Sequence, residues 1–306
     1  MSSSTSNRRS NGLAKASVLN WLNEAHSPTK KKNYFHTRYS ESVSGWGAVS
    51  GSVADYFRYA HDDAIQRFRR VAGISLHPSG KRQQLPTPYD QYPFGFPDIA
   101  AQGLFGEVLA GLLAETCGAA GFDDWEVPAH LFHTQIIAFQ QLEQQSQSGT
   151  TATTLFGRTG DDCLAFRRDP NTSEIVSVLY CEAKCTATHN IALVQEAHSK
   201  AATSGIVDIL QLIEALASRN SQDADQWVDS LRVFYGQLHS PPPTAIDRTD
   251  AVYYVHGQAP VQRLTWIDCD KPIPEYNASR RLHAVEVHLT DVLVRVRSIY
   301  CPQVWT

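Results

Sequence analysis

The sequence predicts an α/β or α+β fold in which helices flank a mixed central sheet. From residue 99 onward, segments with helical and strand periodicity follow in the order helix, strand, strand, strand, helix and further strands. The strand predicted at Ile175–Cys185 is apolar on both faces for most of its length, as is typical of an interior strand. With 306 residues, 42% of them hydrophobic and 19% charged, the chain can bury a sizeable core.

The N-terminal part is predicted to hold helix and loop. Residues 1–12 are expected to form a disordered leader. A helix is predicted over Gly51–Val71, where apolar residues recur at three- and four-residue steps. Several prolines between His77 and Asp98 indicate a loop. Residues 13–97 are therefore predicted as an N-terminal helical and loop region.

Residues 98–240 are predicted to form the central unit. Its first helix covers Ile99–Thr116 and ends at Cys117-Gly118, where glycine can supply a left-handed cap. The other predicted elements of this unit are a strand within Val127–Phe139, strands at Cys163–Phe166 and Ile175–Cys185, and helices at Asn190–Ala202, Ile206–Ser218 and Asp225–Leu238.

Three prolines, Pro241 to Pro243, then break the chain. A strand-rich extension follows, with a short helix at its end. Its predicted strands are Ala251–His256, Arg263–Ile267 and Leu282–Leu289. Residues 241–306 are thus expected to complete or extend the sheet.

Composition limits the partners and the compartment. The net charge of −4 does not by itself indicate a polyanion partner. Six cysteines without framework spacing, and no secretory segment, predict reduced thiols in a cytoplasmic protein. No apolar run approaches the roughly 20 residues of a membrane span. A nucleic acid would have to be bound by local basic clusters such as Lys30–Lys32, Arg69/Arg70, Arg167/Arg168 and Arg280/Arg281.

The strand Ile175–Cys185 carries the most informative pair of charges. Because side chains alternate between the two faces of a strand, Glu182 and Lys184 lie on the same face. They are two residues apart, about 6 to 7 Å along the strand, and both can reach one substrate phosphate. Charges at the rim of a core are costly unless they are paired or bound to a metal.

A second carboxylate precedes the neighbouring strand. Asp161 and Asp162 follow a glycine and lead into an apolar strand, so that one of them can lie beside Glu182 across the hairpin. Two converging carboxylates suit Mg²⁺ or Mn²⁺, which can activate a water, and the lysine can stabilise transition-state charge. Asp162 is favoured because it leads straight into the strand. Asp161 could instead cap the turn or serve a second metal.

A further acidic side chain, Glu107, lies on the helix Ile99–Thr116. This helix is apolar or small on all sides, which predicts that it is buried. A metal ion or the Lys184 ammonium would account for a glutamate there, and a half-exposed helix edge is the alternative.

The pattern Asp162…Glu182-Ala183-Lys184, on a strand hairpin after a Glu-bearing helix, resembles the PD-(D/E)xK nuclease superfamily. More narrowly, three segments resemble the nuclease subunit of the bacterial Hachiman anti-phage system: Phe105-Gly106-Glu107, Gly160-Asp161-Asp162 and Cys181 to Cys185. The similarity spans about Ile99 to Leu216. The superfamily's Pro-Asp is Asp161-Asp162 here, which leaves the ligand assignment between the two aspartates open.

The resemblance implies a restriction-endonuclease-like sheet and a nuclease that hydrolyses DNA with Mg²⁺ or Mn²⁺. It implies a defence effector controlled by a helicase or ATPase partner, and such nucleases are frequently symmetric homodimers. The implied catalytic residues are Asp162, Glu182, Lys184 and Glu107, and the implied metal ligands are Asp162, Glu182, Glu107 and Asp161. Candidate contacts to nucleic acid or water are Arg158, Gln195 and His198.

Two other functions stay open at this point. One is a catalytically silent scaffold or nucleic-acid-binding subunit that keeps the nuclease fold. The other is a restriction endonuclease that reads a specific sequence. The intact trio Asp162, Glu182 and Lys184 argues against a silent site, because such a site has no physical reason to keep buried charges.

Overall fold

The structure is a computed structural model that describes residues 13–27, 29, 31–73, 93–94, 98–132, 162–219, 221–241 and 246–300. Within these ranges the helices are α1 (Lys15–Trp21), α2 (Val43–Gly73), α3 (Asp98–Cys117), α4 (Ile191–Thr203), α5 (Ile209–Ala217), α6 (Gln222–His239) and α7 (Val292–Ile299). The strands are β1 (Leu22–Ser27), β2 (Tyr34–Glu41), β3 (Cys163–Arg168), β4 (Ile175–Thr186), β5 (Asp247–His256) and β6 (Arg281–His288).

The six strands form one mixed sheet in the order β1-β2-β6-β5-β4-β3. The four inner strands β2, β6, β5 and β4 are parallel to one another. The outer strands β1 and β3 each run antiparallel to their neighbour. A mixed α/β architecture with helices on the sheet, as the sequence predicted, is therefore present.

Helices cover both faces of this sheet. On one face α1, α2, α3 and α7 share a core with Leu179 of β4 and Tyr253 of β5. On the other face α4, α5 and α6 share a second core with Tyr180 and Tyr254 of the same two strands. The alternation along β4 thus sends neighbouring residues to different cores, and the prediction of an interior strand covered on both sides is confirmed.

Helix α3 is buried along most of its length, as its small and apolar composition predicted. Its glycines let it approach its neighbours closely. A Cβ on Gly106 would lie 3.0 Å from Cβ of Cys185, and one on Gly111 would lie 2.4 Å from Cε1 of His130. In the described part of the chain, even this apolar helix does not reach the combination of length and hydropathy that crossing a bilayer requires.

Two predicted strands differ from the structure. Arg263–Ile267 is not a strand, because the amides of Trp266 and Ile267 donate to the buried carboxylate of Glu286 instead of to another strand. Residues 127–132 contain no strand, and only Glu126 beside them forms an isolated bridge with Phe166. The rest of the predicted strand, residues 133–139, lies outside the described residues.

Strands β1 and β2 were not among the predicted elements. The region predicted as helix and loop therefore also contributes two strands to the sheet. Strand β2 pairs with β6, so that Tyr34 lies opposite Leu282 from the other end of the chain. The partner of β2 is remote in sequence, and no local sequence pattern predicts this pairing.

Candidate active site

Asp162 lies directly before β3, where the β3–β4 hairpin begins to pair. In this hairpin Cys163 is opposite Cys181, so the antiparallel register continues to place Asp162 opposite Glu182. Oδ2 of Asp162 accepts a hydrogen bond from the amide of Ala183 at 2.9 Å. The carboxylate is thereby held against β4. The alternative ligand Asp161 lies outside the described residues.

Glu182 is fully buried, with an exposure of 0%, on the face of β4 that α4 covers. Nζ of Lys200 lies 2.6 Å from its Oε2, and Nζ of Lys184 lies 3.2 Å from its Oε1. Burial and the charge of Asp162 raise the pKa of Glu182 to about 7, although both lysines act to lower it.

Lys184 is held between two carboxylates. Besides its contact with Glu182, its Nζ donates a hydrogen bond to Oε1 of Glu196 at 2.7 Å. Burial acts to lower the pKa of Lys184, but the charge of Glu182 and the bond to Glu196 outweigh it and raise the pKa. The side chain is therefore a fixed ammonium group at the mouth of the site.

Sequence reasoning missed Lys200 and Glu196, which both lie on α4. Nζ of Lys200 contacts Asp162 at 3.4 Å as well as Glu182 at 2.6 Å. The four-residue spacing could have shown that the two side chains share a face of the helix. It could not show which face turns to the sheet.

The two polar residues of α4 that the sequence did put forward lie elsewhere. Gln195 is exposed, and its Nε2 donates to Oε1 of Glu275 at 2.7 Å. His198 is fully buried, and its Nδ1 lies 2.8 Å from the carbonyl of Val194. Burial lowers the pKa of His198. Its ring is therefore part of the second core, neither solvent-facing nor in contact with the carboxylates.

Glu107 is buried on α3, which packs on the face of the sheet opposite to Glu182. The charge of Glu107 acts on Cys163 instead: after the hydrogen bond with Cys181 and burial, it is one of the smaller causes that raise the pKa of the Cys163 thiol. Across the described ranges, no three His, Cys, Asp or Glu side chains are arranged to hold a metal together. Glu107 thus does not complete such a group with Asp162 and Glu182. Arg158 lies outside the described residues.

Asp162 and Glu182 nevertheless fit a hard divalent cation as a pair. Both carboxylates contact the same atom, Nζ of Lys200, so their oxygens converge on one small volume that already holds a positive charge. Carboxylate oxygens are the ligands that Mg²⁺ and Mn²⁺ prefer. The raised pKa of Glu182 shows that the two lysines do not fully compensate the buried negative charge.

Two of the three arginine pairs put forward as basic clusters, Arg167/Arg168 and Arg280/Arg281, are engaged in ion pairs within the fold, and the side chains of Arg69/Arg70 lie outside what the structure describes. The charge of the two engaged pairs is thereby partly neutralised, and they form no open basic stripe. These ion pairs join Arg167 to Asp124, Arg168 to Glu126, Arg280 to Asp250, and Arg281 to Asp247.

Neither the comparison with protein-family models nor that with curated proteins gave a match. The chemistry of the cluster itself indicates the function: it consists of two converging carboxylates, a third one on the rim and two ammonium groups.

Proposed function

We propose that this protein is a metal-dependent nuclease of the PD-(D/E)xK type with a restriction-endonuclease-like fold, and that it hydrolyses phosphodiester bonds of DNA. One observation supports the proposal most directly: Asp162 and Lys184 lie beside the fully buried carboxylate of Glu182, where β3 and β4 pair. Burying a carboxylate costs stability even when ammonium groups lie beside it. Binding a divalent cation would give that costly arrangement a function.

Four side chains of the cluster have roles in this mechanism. Asp162 and Glu182 would hold Mg²⁺ or Mn²⁺, which when bound polarises the phosphate and lowers the pKa of a water. The amide of Ala183 keeps the Asp162 carboxylate in place. Lys184 stays protonated and can donate to a phosphate oxygen or orient the attacking water. Glu196 limits where that ammonium points.

The proposal extends to the setting that the resemblance implies. The chain would be the DNA-cutting effector of a bacterial anti-phage system, acting in the cytoplasm under the control of a helicase or ATPase partner. Support comes from the resemblance of the segments around Glu107, Asp162 and Glu182. A nuclease in the cytoplasm also needs restraint, because unrestricted cutting would harm its own host.

Cleavage assays test the nuclease. Plasmid and single-stranded DNA are incubated with the protein in Mg²⁺ or EDTA, alongside Glu182→Gln, Lys184→Met and the control Lys271→Met, which removes an exposed positive charge outside the cluster. We expect metal-dependent degradation that falls about 100-fold or more in the two site variants and is unchanged in the control.

Two other results would identify other functions. Absence of cleavage in every condition, including with the partner added, would identify a silent scaffold or binding subunit. A defined ladder of fragments from plasmid would identify a sequence-specific restriction endonuclease.

A further inference from the structure

Lys200 occupies the point on which the two carboxylates converge. Its Nζ lies 2.6 Å from Oε2 of Glu182 and 3.4 Å from Oδ1 of Asp162. The other oxygen of Glu182 is contacted by Lys184, at 3.2 Å. Both acidic groups that would hold a metal are therefore already in contact with ammonium groups of the same chain.

An ammonium group and a divalent cation cannot both occupy this point. Oxygen ligands bind Mg²⁺ at about 2.0–2.1 Å, so an ion touching both carboxylates would lie in the volume of the Lys200 Nζ. Two cations at that distance would also repel each other strongly in a buried site. A metal can enter only if the Lys200 ammonium moves.

Lys200 is placed so that it can move. Its side chain is 25% exposed, whereas that of Glu182 is fully buried, so a path to solvent is open to the lysine and not to the glutamate. Lysine is a flexible four-carbon stem that carries a compact charge. Lys184 differs, because it is additionally held by Glu196 at 2.7 Å.

We propose that Lys200 is the internal counter-ion of the site, which competes with the metal for Asp162 and Glu182 and moves to the substrate phosphate when the metal enters. The step to phosphate rests on the proposed nuclease function, whereas the competition depends on the carboxylates alone. Metal by itself then binds weakly, and metal and a phosphate-like anion bind cooperatively. The site would load at lower metal concentrations when its substrate is present, which restrains the enzyme.

Metal titration tests the competition. Binding of Mn²⁺ is followed by the electron paramagnetic resonance signal of free Mn²⁺ in wild type, Lys200→Met, Lys200→Arg and Lys271→Met. We expect Lys200→Met to bind Mn²⁺ about tenfold tighter or more, because the competing charge is gone. Lys200→Arg keeps the charge and should bind Mn²⁺ no more tightly than wild type, whereas Lys271→Met removes a charge outside the cluster and should stay within about twofold of wild type. Unchanged or weaker binding by a folded Lys200→Met overturns the proposal.

Sulfate serves as a non-hydrolysable stand-in for the phosphate. We expect sulfate, compared with chloride at equal ionic strength, to tighten Mn²⁺ binding to wild type and not to Lys200→Met. Equal effects on the two proteins would overturn the transfer of Lys200 to the anion.

Amine labelling of the wild type tests the displacement of Lys200 without any variant, so the result does not depend on whether a variant folds. The protein is treated with an acetylating reagent with and without Mn²⁺, and modification is mapped by mass spectrometry. Displacement predicts faster acetylation of Lys200 in Mn²⁺ and an unchanged rate for Lys271. An unchanged rate for Lys200 at saturating Mn²⁺ would overturn the proposal.

The outcomes separate this inference from the nuclease itself. If Lys200→Met gains Mn²⁺ affinity while the wild type cleaves no DNA, the counter-ion role stands and the nuclease does not. If the wild type cleaves DNA while Lys200→Met binds Mn²⁺ with the affinity of wild type, the nuclease proposal is supported and the counter-ion role is not.

Discussion

At the scale of single residues, Glu182 is the side chain whose burial and raised pKa most directly support a metal-binding function. Its side chain is completely buried at the end of an apolar strand, where an isolated carboxylate would be strongly disfavoured. Two lysines approach it, yet its pKa is still raised to about 7 by burial and by Asp162. The folded protein thus holds a carboxylate whose ionisation works against stability.

This raised pKa predicts a pH-dependent effect of Glu182→Gln. The folded state keeps the Glu182 proton up to about pH 7, whereas the unfolded chain releases it near its ordinary value of 4.5. The side chain therefore contributes stability at low pH that is lost as the pH rises through 7. Glutamine stays neutral throughout and both lysines stay protonated, so in EDTA the variant should gain roughly 1–3 kcal/mol of stability relative to wild type as the pH rises from 5 to 8.

Urea denaturation at pH 5 and pH 8 measures the effect. At pH 5 the wild-type side chain is protonated in the folded state, so the comparison with glutamine should be less favourable to the variant than at pH 8. The same stability difference at both pH values would contradict the raised pKa of Glu182.

At the scale of elements, α3 and α4 pack closely on opposite faces of the sheet. Helix α3 packs through glycine, and Gly111 lies directly against the ring of His130. That ring is in turn 3.0 Å from the hydroxyl of Tyr56 on α2. The contact couples α3 to the rest of its core, with no space left for a larger residue.

Substituting alanine at two helical glycines tests this packing. Gly111→Ala should lower the free energy of unfolding by about 1–3 kcal/mol, because the new Cβ would lie 2.4 Å from Cε1 of His130. Gly47→Ala on α2 is the matched control, since nothing lies within 4 Å of its Cβ. There the better helix propensity should raise stability by about 0.5–1 kcal/mol. Equal effects of both substitutions in urea denaturation would contradict the close approach.

Helix α4, which carries Glu196 and Lys200, is anchored at its C-terminal end. Arg248 and Arg280 both donate hydrogen bonds to its last carbonyl groups. The Nε atoms of the same arginines donate to the fully buried carboxylate of Asp250, at 2.7 and 2.8 Å. This arrangement sets where Lys200 meets the carboxylates.

Neighbouring arginines provide a test of the anchor. Arg280→Ala removes bonds to the helix end and to a buried carboxylate, and we expect a loss of about 1–3 kcal/mol in the free energy of unfolding. Arg281→Ala breaks the partly exposed pair with Asp247 and a cation–π contact with Phe122, and it should cost about 1 kcal/mol or less. The two losses are compared by urea denaturation, and similar values would argue against an anchor.

At the scale of the whole molecule, the sheet is assembled from both ends of the chain. Strand β6 from the C-terminal region lies between β5 and β2, and β2 comes from the N-terminal region. Without β1 and β2, the backbone groups of β6 along one side would lose their partners and the core beneath would open.

A truncation tests this interdependence. A fragment of residues 98–306 should lack cooperative urea unfolding and a native near-ultraviolet circular dichroism spectrum, because β6 would be left as an unpaired edge. The control, residues 13–306, keeps both strands and should unfold cooperatively. A well-folded 98–306 fragment would contradict the prediction.

The sequence by itself determined what depends on short-range periodicity. The buried character of α3, the two faces of β4 and the hairpin that brings Asp162 beside Glu182 and Lys184 all follow from residues close together in the chain. A period of two separates the faces of a strand, and antiparallel pairing after a short turn leaves little freedom of register.

Only the tertiary structure decided which distant groups meet this local pattern. Lys200 reaches the two carboxylates because α4 packs on one particular face of the sheet, and β2 pairs with β6 from the other end of the chain. The residues at 263–267 do not form the predicted strand because Glu286 binds their amides. These contacts join segments that are distant in sequence. The local pattern of each segment does not predict its partner, so the contacts form only when the whole chain folds.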